Sequence, residues 1–371
     1  MCRRENYPRR LTLLAAILVV SSERYSGKSS IVVGLALELR DRGFTVGYMK
    51  PVGAYPIKIG TQKVDEDAYF VREALGLKDA ELSDVSPYFL TWDTLTRYMR
   101  KLPGNPPARV EQSYKKLSEG KDVMLLEGAQ NFLHGRILGL SALEVSNLLD
   151  AKVLLLDTFN EELSVDRILS AQDFFGNKFL GVILNWVPPR RVEFTKNLLA
   201  RYMSQKGINV FGSIPQDRLL RSITVNDLAN SLNGKIICAL DKGDELIESM
   251  MVGAMGQDQA LRLFRKQANK VVVTGGDRSD IQLAALETPT KALILTGGHR
   301  PSPLVLGQAE EIGVPVIIVD YDTATTVEMV EAAIGHQKVH SPKKIERIRG
   351  FIRDGLDLDL MLEQLSLHMF K

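Results

Sequence analysis

Apolar and polar positions alternate in blocks along the first two-thirds of the chain. Short apolar runs, mostly rich in Val, Ile or Leu, recur at Leu11–Val20, Thr45–Met49, Asp122–Leu126, Lys152–Leu156, Phe179–Leu184 and Asn209–Ser213. A short run that is apolar throughout, instead of at every second position, fits a strand covered on both faces. Between these runs, Lys28–Asp41 and Pro107–Ser118 carry helical patterns, with Gly43 and Gly120 where a helix C-terminus favours glycine. Strand and helix in alternation predict an α/β fold with a doubly wound parallel sheet.

The pattern changes after Pro215. Ser222–Gly234 reads as a polar start, a short helix (Val225–Leu232) and a glycine stop, which puts a domain boundary near residue 222. A smaller α/β domain over 223–335 follows, with strands predicted at Lys235–Cys238, Lys270–Val273, Ala292–Leu295 and Val314–Val319. Its helices are predicted near Gln257–Lys266, Leu304–Ile312 and Ala324–Ile334. Residues 336–371 form a charged helical tail with apolar positions Ile345, Ile348 and Ile352, then Leu358, Leu362 and Leu365. That spacing gives each tail helix one apolar stripe, to lie on its own domain or on a partner subunit.

Composition narrows the class. The 371 residues are 45% hydrophobic and 25% charged, which suits a compact protein and argues against disorder or a coiled coil. Forty-seven Lys and Arg against 45 Asp and Glu leave a formal charge of +2, without the basic footprint of a nucleic-acid binder. Cys2 and Cys238 cannot build a disulfide framework, so a cytoplasmic protein is expected. Arg3, Arg4, Arg9 and Arg10 before Leu11–Val20 outline a secretory signal. The apolar run is too short to span a bilayer, however, and a phosphate-loop pattern follows it directly. Leu11–Val20 is therefore read as a buried strand, and no other run is long and apolar enough to cross a membrane.

That pattern is Ser22-Glu23-Arg24-Tyr25-Ser26-Gly27-Lys28-Ser29, between an apolar strand and an amphipathic helix. Ser22 replaces the first glycine of the usual motif, so the signal rests on Gly27-Lys28-Ser29 and its context. Backbone amides of the loop and the first helical turn, over Glu23, Tyr25, Ser26, Gly27, Lys28, Ser29 and Ser30, would converge on a polyphosphate. Lys28 would neutralise the outer phosphates, and the Ser29 hydroxyl would ligate Mg2+. ATP and Mg2+ are the expected cofactors. Glu127, after Val123–Leu126, is placed to reach the metal or its waters at the carboxyl end of a strand. Asp157 ends its own strand in the same way, and either acid could instead cap a turn.

Ser21–Ser29, Tyr48-Met49-Lys50-Pro51-Val52, Asp67-Ala68, Leu126-Glu127-Gly128-Ala129 and Gly181-Val182-Ile183-Leu184-Asn185 resemble dethiobiotin synthetase in order and approximate spacing, over about residues 11–218. The resemblance implies an ATP-dependent carboxylase fold in which Asp67 and Glu127 complete the metal site with Ser29. It also implies that Asn185 reads the adenine edge and that Lys50 acts with Lys28 at the reacting centre. Where that family continues with glycines, this chain has Gln130-Asn131-Phe132-Leu133-His134.

In the second domain, Val271-Val272-Val273-Thr274-Gly275-Gly276-Asp277-Arg278 is repeated 22 residues on as Leu293-Ile294-Leu295-Thr296-Gly297-Gly298-His299-Arg300. Glycines that bare backbone amides, with Arg278 and Arg300 beside them, are expected to form an anion pocket from Thr274, Gly275, Gly276, Thr296, Gly297 and Gly298. The other reading is that these glycines only turn the chain while the arginines pair with Asp277, Asp280 or Glu310. Residues 225–335 resemble the DRTGG domain, and the whole chain resembles the N-terminal half of long phosphate acetyltransferases. This implies regulation, homo-oligomers and an unidentified small ligand. The chain stops before an acetyltransferase catalytic domain, so phosphotransacetylation is not expected. Three functions stay open: a nucleotide-responsive regulator, an ATP-dependent carboxylase or amide ligase, and a ParA-like ATPase switch. For the last, the extra phosphate-loop lysine is missing and Arg24 is the nearest basic residue.

Overall fold

The computed structural model describes residues 14–100, 104–335 and 341–367. The chain divides into two compact units, Met1–Gln216 with Val339–Lys371, and Asp217–Lys338. Ser222 marks the approach to a helix, whereas the turn from Asp217 to Ser222 already belongs to the second unit.

In the first unit, β1 (Ala15–Ser21), β2 (Val46–Met49), β3 (Val123–Glu127), β4 (Lys152–Thr158), β5 (Phe179–Val187) and β6 (Val210–Pro215) form one sheet. The order is β6-β5-β4-β1-β3-β2 and every neighbouring pair is parallel. The predicted runs thus become the strands, and β3 is buried along its whole length, as a sheet covered on both faces requires. Residues 11–13 of the first run lie outside the described residues. Sequence order reverses around β1, so the crevice where open α/β sheets take ligands lies beyond the carboxyl end of β1, between β3 and β4. There the chain makes the 22–27 loop and enters α1 (Lys28–Asp41).

The second unit is built on β7 (Lys235–Ile236), β8 (Ser249–Val252), β9 (Lys270–Gly275), β10 (Thr290–Thr296) and β11 (Val316–Ile318), in the order β7-β11-β10-β9-β8. All neighbours are parallel except β7 with β11. The edge strand β8 escapes the sequence pattern because Ser249-Met250-Met251-Val252 is only four residues long, half-buried throughout, with just three apolar positions of which two are Met. Alternate residues of the strands feed two cores. Val271, Val273 and Ile294 pack with α2 (Val225–Ser231) and with Val330 and Ala333. Val272, Leu293 and Leu295 pack with α3 (Gln257–Phe264), α4 (Ser279–Leu286) and α5 (Pro303–Ile312). Val330 and Ala333 belong to α6 (Thr323–Gly335), so α6 covers the face opposite to α5.

The tail, α7 (Pro342–Gly355) and α8 (Leu358–Gln364), lies on the first unit. Ile348 and Ile352 are buried against α1, and a Cβ on Gly34 would stand 2.3 Å from Ile352 Cδ1. A side chain at 34 would hold α7 off. Arg349 donates to Glu38 at 2.8 Å and also pairs with Asp41, both on α1. The Asp357 N–H donates to the Phe211 carbonyl at 2.7 Å, which ties the tail to the edge strand β6.

Candidate functional site

The loop from β1 to α1 turns through two left-handed positions, Tyr25 (φ 56°) and Gly27 (φ 89°). A Cβ on Gly27 would also lie 3.0 Å from Asn185 Nδ2, so glycine is required both for the torsion and for space. The first turn of α1 carries no acidic residue, and Gly27 offers no side-chain cap. The amides there have no intrahelical acceptor, which leaves an anion-seeking helix end at the crevice.

Lys28 is buried, and its Nζ donates to Ser21 Oγ at 2.7 Å, Ser26 Oγ at 3.5 Å and the Gln130 carbonyl at 3.3 Å. All three acceptors are neutral. Burial lowers its pKa to about 8, with the Glu127 charge acting in the opposite sense. Ser29 Oγ donates to Glu127 Oε1 at 3.0 Å. Glu127 Oε2 accepts from the Tyr48 hydroxyl at 2.9 Å, and the Lys50 ammonium lies 3.2 Å from Oε1. Burial raises the Glu127 pKa against the pull of Lys50. Ser30 sits in the first turn of α1.

Lys50 is the hub of a buried ion cluster. Its Nζ lies 2.7 Å from Asp65 Oδ1 and 2.7 Å from Asp67 Oδ2, besides Glu127. Burial alone would lower its pKa, but Glu127, Asp67 and Asp65 together hold it well above the ordinary lysine value. Asp65 is fully buried and accepts from the N–H groups of Ala54, Tyr55, Asp67 and Ala68. It caps the helix Glu66–Ala74 while supporting Lys50. Sequence reasoning missed Asp65 and Tyr48. The Asp-Glu-Asp spacing was the available signal for Asp65, since an acid two residues before a metal candidate is the natural N-cap.

The other candidate residues are placed as follows. Asn185 ends up under the loop, its Nδ2 donating to the Ser26 carbonyl at 2.7 Å and its Oδ1 accepting from Trp186 N–H at 2.9 Å. Glu23 turns its carboxylate to Arg167, which also pairs with Asp157 at 2.8 Å. Asp157 further accepts from Ser164. It therefore holds the wall of the loop and does not face the crevice as an open carboxylate. Tyr25 and Tyr55 share a hydroxyl–hydroxyl bond of 2.7 Å, and Gln130 Nε2 reaches Tyr55 Oη at 3.3 Å. Gln130 thus spans from Lys28 to the tyrosine pair, in the stretch where the sequence departs from a glycine-rich continuation.

In the second unit the two Thr-Gly-Gly segments lie side by side, with Thr274 opposite Leu295 and Gly275 opposite Thr296. The shared anion pocket expected from Thr274, Gly275, Gly276, Arg278, Thr296, Gly297, Gly298 and Arg300 is not formed as anticipated. The amides of Gly276, Gly297 and Gly298 donate to the carbonyls of Thr296, Tyr321 and Val319, so they are not bared. Arg278 makes a two-pronged pair with Asp280, both bonds 2.9 Å, and donates to the Met255 carbonyl. The first copy is therefore a turn whose arginine is already spent on a neighbouring acid. Arg300 of the second copy is exposed and has no ion pair among the described residues.

A parallel sheet with a lysine-bearing loop at its switch point, entering a helix whose first serine meets a strand-end glutamate, defines a P-loop NTPase-type α/β domain. The chain belongs to the AAA domain family, whose model matches residues 15–252, and a DRTGG domain model matches residues 227–333. It is similar to a phosphate acetyltransferase of Synechocystis sp., 25% identical over 341 residues, covering 86% of this chain and 47% of the relative. The chain spans about half the length of the curated relatives it matches, and corresponds to their N-terminal region. Among solved structures, it is similar to the CBS and DRTGG domains of the regulatory region of Clostridium perfringens pyrophosphatase, complexed with the activator diadenosine tetraphosphate. That match is 22% identical with a TM-score of 0.29, covering 39% of this chain and 58% of that one. It is also similar to the septum site-determining protein MinD from Pyrococcus horikoshii, complexed with Mg-ADP. Here the identity is 17% and the TM-score 0.33, over 56% of this chain and 84% of that one. No helix among the described residues is long and apolar enough to cross a membrane.

Proposed function

We propose that the first unit binds magnesium ATP and that the chain acts as a nucleotide-responsive regulatory module. The observation that carries this is the uncapped first turn of α1, with Lys28 held in the loop before it and Ser29 on Glu127. An anion placed there would meet the first-turn amides and displace the neutral partners of Lys28. The oxygen donors Ser29, Glu127 and Asp67 fit Mg2+, which prefers one or two carboxylates together with phosphate and water. Once bound, the metal would offset the negative charge of the outer phosphates. Two lysines against Asp65, Asp67 and Glu127 leave the cluster with one net negative charge, which suits a divalent cation arriving with the phosphate.

The regulatory reading is supported by the pairing of an AAA domain with a DRTGG domain. A second reading, an ATP-dependent carboxylase or amide ligase of the dethiobiotin synthetase type, is favoured by Lys50 lying in the same crevice as Lys28. Against it stands Gln130, whose contacts to Lys28 and Tyr55 cross the space where a second substrate would approach. Turnover separates the two. Binding with little hydrolysis, together with an ATP-dependent change in assembly on light scattering, is expected. Steady hydrolysis stimulated by bicarbonate and an amine would favour the ligase and overturn the regulatory reading.

A further inference from the structure

The phosphate loop of the first unit is fastened from behind, and the fastening decides where its amides aim. In a planar trans peptide the C=O and the following N–H point in opposite directions, so a carbonyl held on one side turns that N–H to the other. Asn185 Nδ2 donates to the Ser26 carbonyl at 2.7 Å, which fixes the plane of the peptide between Ser26 and Gly27. The Ser26 carbonyl is thereby turned toward β5, and the Gly27 N–H away from it. Gly27 directly precedes Lys28 and the uncapped first turn of α1. Ser21 Oγ holds the Glu23 carbonyl in the same manner, at 2.7 Å, and so turns the Arg24 N–H.

Asn185 is suited to be a strut. It lies within β5 opposite Thr158 of β4, and its own carbonyl accepts from Phe159 N–H at 2.8 Å. Only 4% of the residue is exposed. Its Oδ1 accepts from Trp186 N–H at 2.9 Å, so Nδ2 faces a carbonyl and Oδ1 an N–H, and turning the amide over would set donor against donor. A Cβ on Gly27 would meet Nδ2 at 3.0 Å, too close for the edge of a base to enter between them. To read an adenine edge, the side chain would have to present donor and acceptor together on one open side. Here each is turned to a different piece of backbone.

We infer that Asn185 is a positioning residue for the phosphate loop, aiming the Gly27 N–H at the polyphosphate, and that it does not read the base. This rests on the first unit being the nucleotide site. A residue that reads a base discriminates between purines and is indifferent to a bare polyphosphate. One that aims a loop amide acts on every ligand carrying the phosphate chain, and by the same factor.

The test uses the full-length chain and the magnesium complexes of ATP, GTP and inorganic tripolyphosphate. Ser26-Gly27 is the only Ser-Gly step in the sequence. Cell-free synthesis with carbonyl-13C serine and 15N glycine therefore leaves one carbonyl-filtered amide signal, that of Gly27. The signal is expected to shift downfield and saturate with all three ligands. Asn185→Ala should weaken all three by a common factor of about tenfold or more, as for a lost hydrogen bond to a charged group, and leave the ratio of ATP to GTP affinity unchanged. Asn185→Leu, of nearly the same shape, should do the same without leaving a cavity, and far-UV circular dichroism checks that each variant is folded. A loss confined to ATP, with tripolyphosphate unaffected, would overturn the inference and assign Asn185 to the base. Unchanged affinities in both variants would overturn it as well, as would ATP binding without any binding of tripolyphosphate at millimolar concentration. So would a Gly27 signal that stays in place while ATP saturates the natural chain. A natural chain that binds none of the three ligands would instead overturn the nucleotide reading itself.

Discussion

Two ammonium groups share the first-unit site, and their removal is expected to have very unequal consequences. Lys50 is the common partner of Asp65, Asp67 and Glu127, of which Asp65 and Glu127 have no more than 1% exposure. In Lys50→Met two buried carboxylates lose their counter-charge, and breaking a buried ion pair from one side costs about 3–5 kcal/mol. For a unit of this size, at about 2–4 °C per kcal/mol, the first-unit melting transition should fall by roughly 6–20 °C. Lys28 differs. It has neutral acceptors only and its pKa is already lowered by burial, so Lys28→Met should change stability by no more than about 1 kcal/mol. Urea and thermal unfolding of both variants at pH 7 read this directly. The Lys50→Met deficit should also shrink as the pH falls. Glu127 has its pKa raised in the folded protein by burial, so the folded state takes up its proton before the unfolded chain does, which relieves the unpaired charge. Equal losses in the two variants, or a Lys50→Met loss that does not narrow in acid, would refute this reasoning.

Three further outcomes follow from individual contacts. Because the free site holds Lys28 at about 8, nucleotide affinity should decline as pH rises from 7 through 9, with proton uptake on binding visible as a buffer-dependent calorimetric enthalpy. A flat profile would count against Lys28 as the phosphate ligand. Lys270, buried in the second unit with Thr288 Oγ1 at 2.9 Å and the Pro289 carbonyl as acceptors, is likewise lowered to about 8 by burial. The unfolded chain binds more protons there between about pH 8 and the ordinary lysine value of about 10.4, so second-unit stability should rise with pH over that window; Lys270→Met should remove its share of the rise, and an identical pH profile in the variant would contradict this. Gly34→Ala should displace Ile352 and cost about 1–3 kcal/mol as overpacking, with most of the loss absent when Ile352→Ala is also present. Additive losses in that double-mutant cycle would show that the tail does not press on α1.

The large features were legible in the chain because they follow from period and punctuation. Fully apolar runs gave the parallel strands, and Gly27-Lys28-Ser29 between a strand and a helix gave the turn at the switch point of the sheet. What escaped were partnerships that depend on distant segments. Folding puts Asp65 under Lys50 while it caps the next helix, a pairing that no local pattern shows. Tyr48 lies within a buried strand, so nothing in the pattern told that its hydroxyl would reach Glu127. The repeated Thr-Gly-Gly segments announced two turns correctly. They could not tell which carbonyl each amide would meet, or that Asp280 would take Arg278. Gly34 was one more small residue in an apolar helix until α7 was seen against it.

The most direct measurement is calorimetric titration of the full chain with magnesium ATP, in the natural sequence and in Lys28→Ala. A saturable one-site isotherm is predicted for the natural chain, with no detectable heat of binding in the variant while its fold is unchanged by circular dichroism. Binding of equal strength in Lys28→Ala would contradict the assignment of the Gly27 turn as the triphosphate cradle.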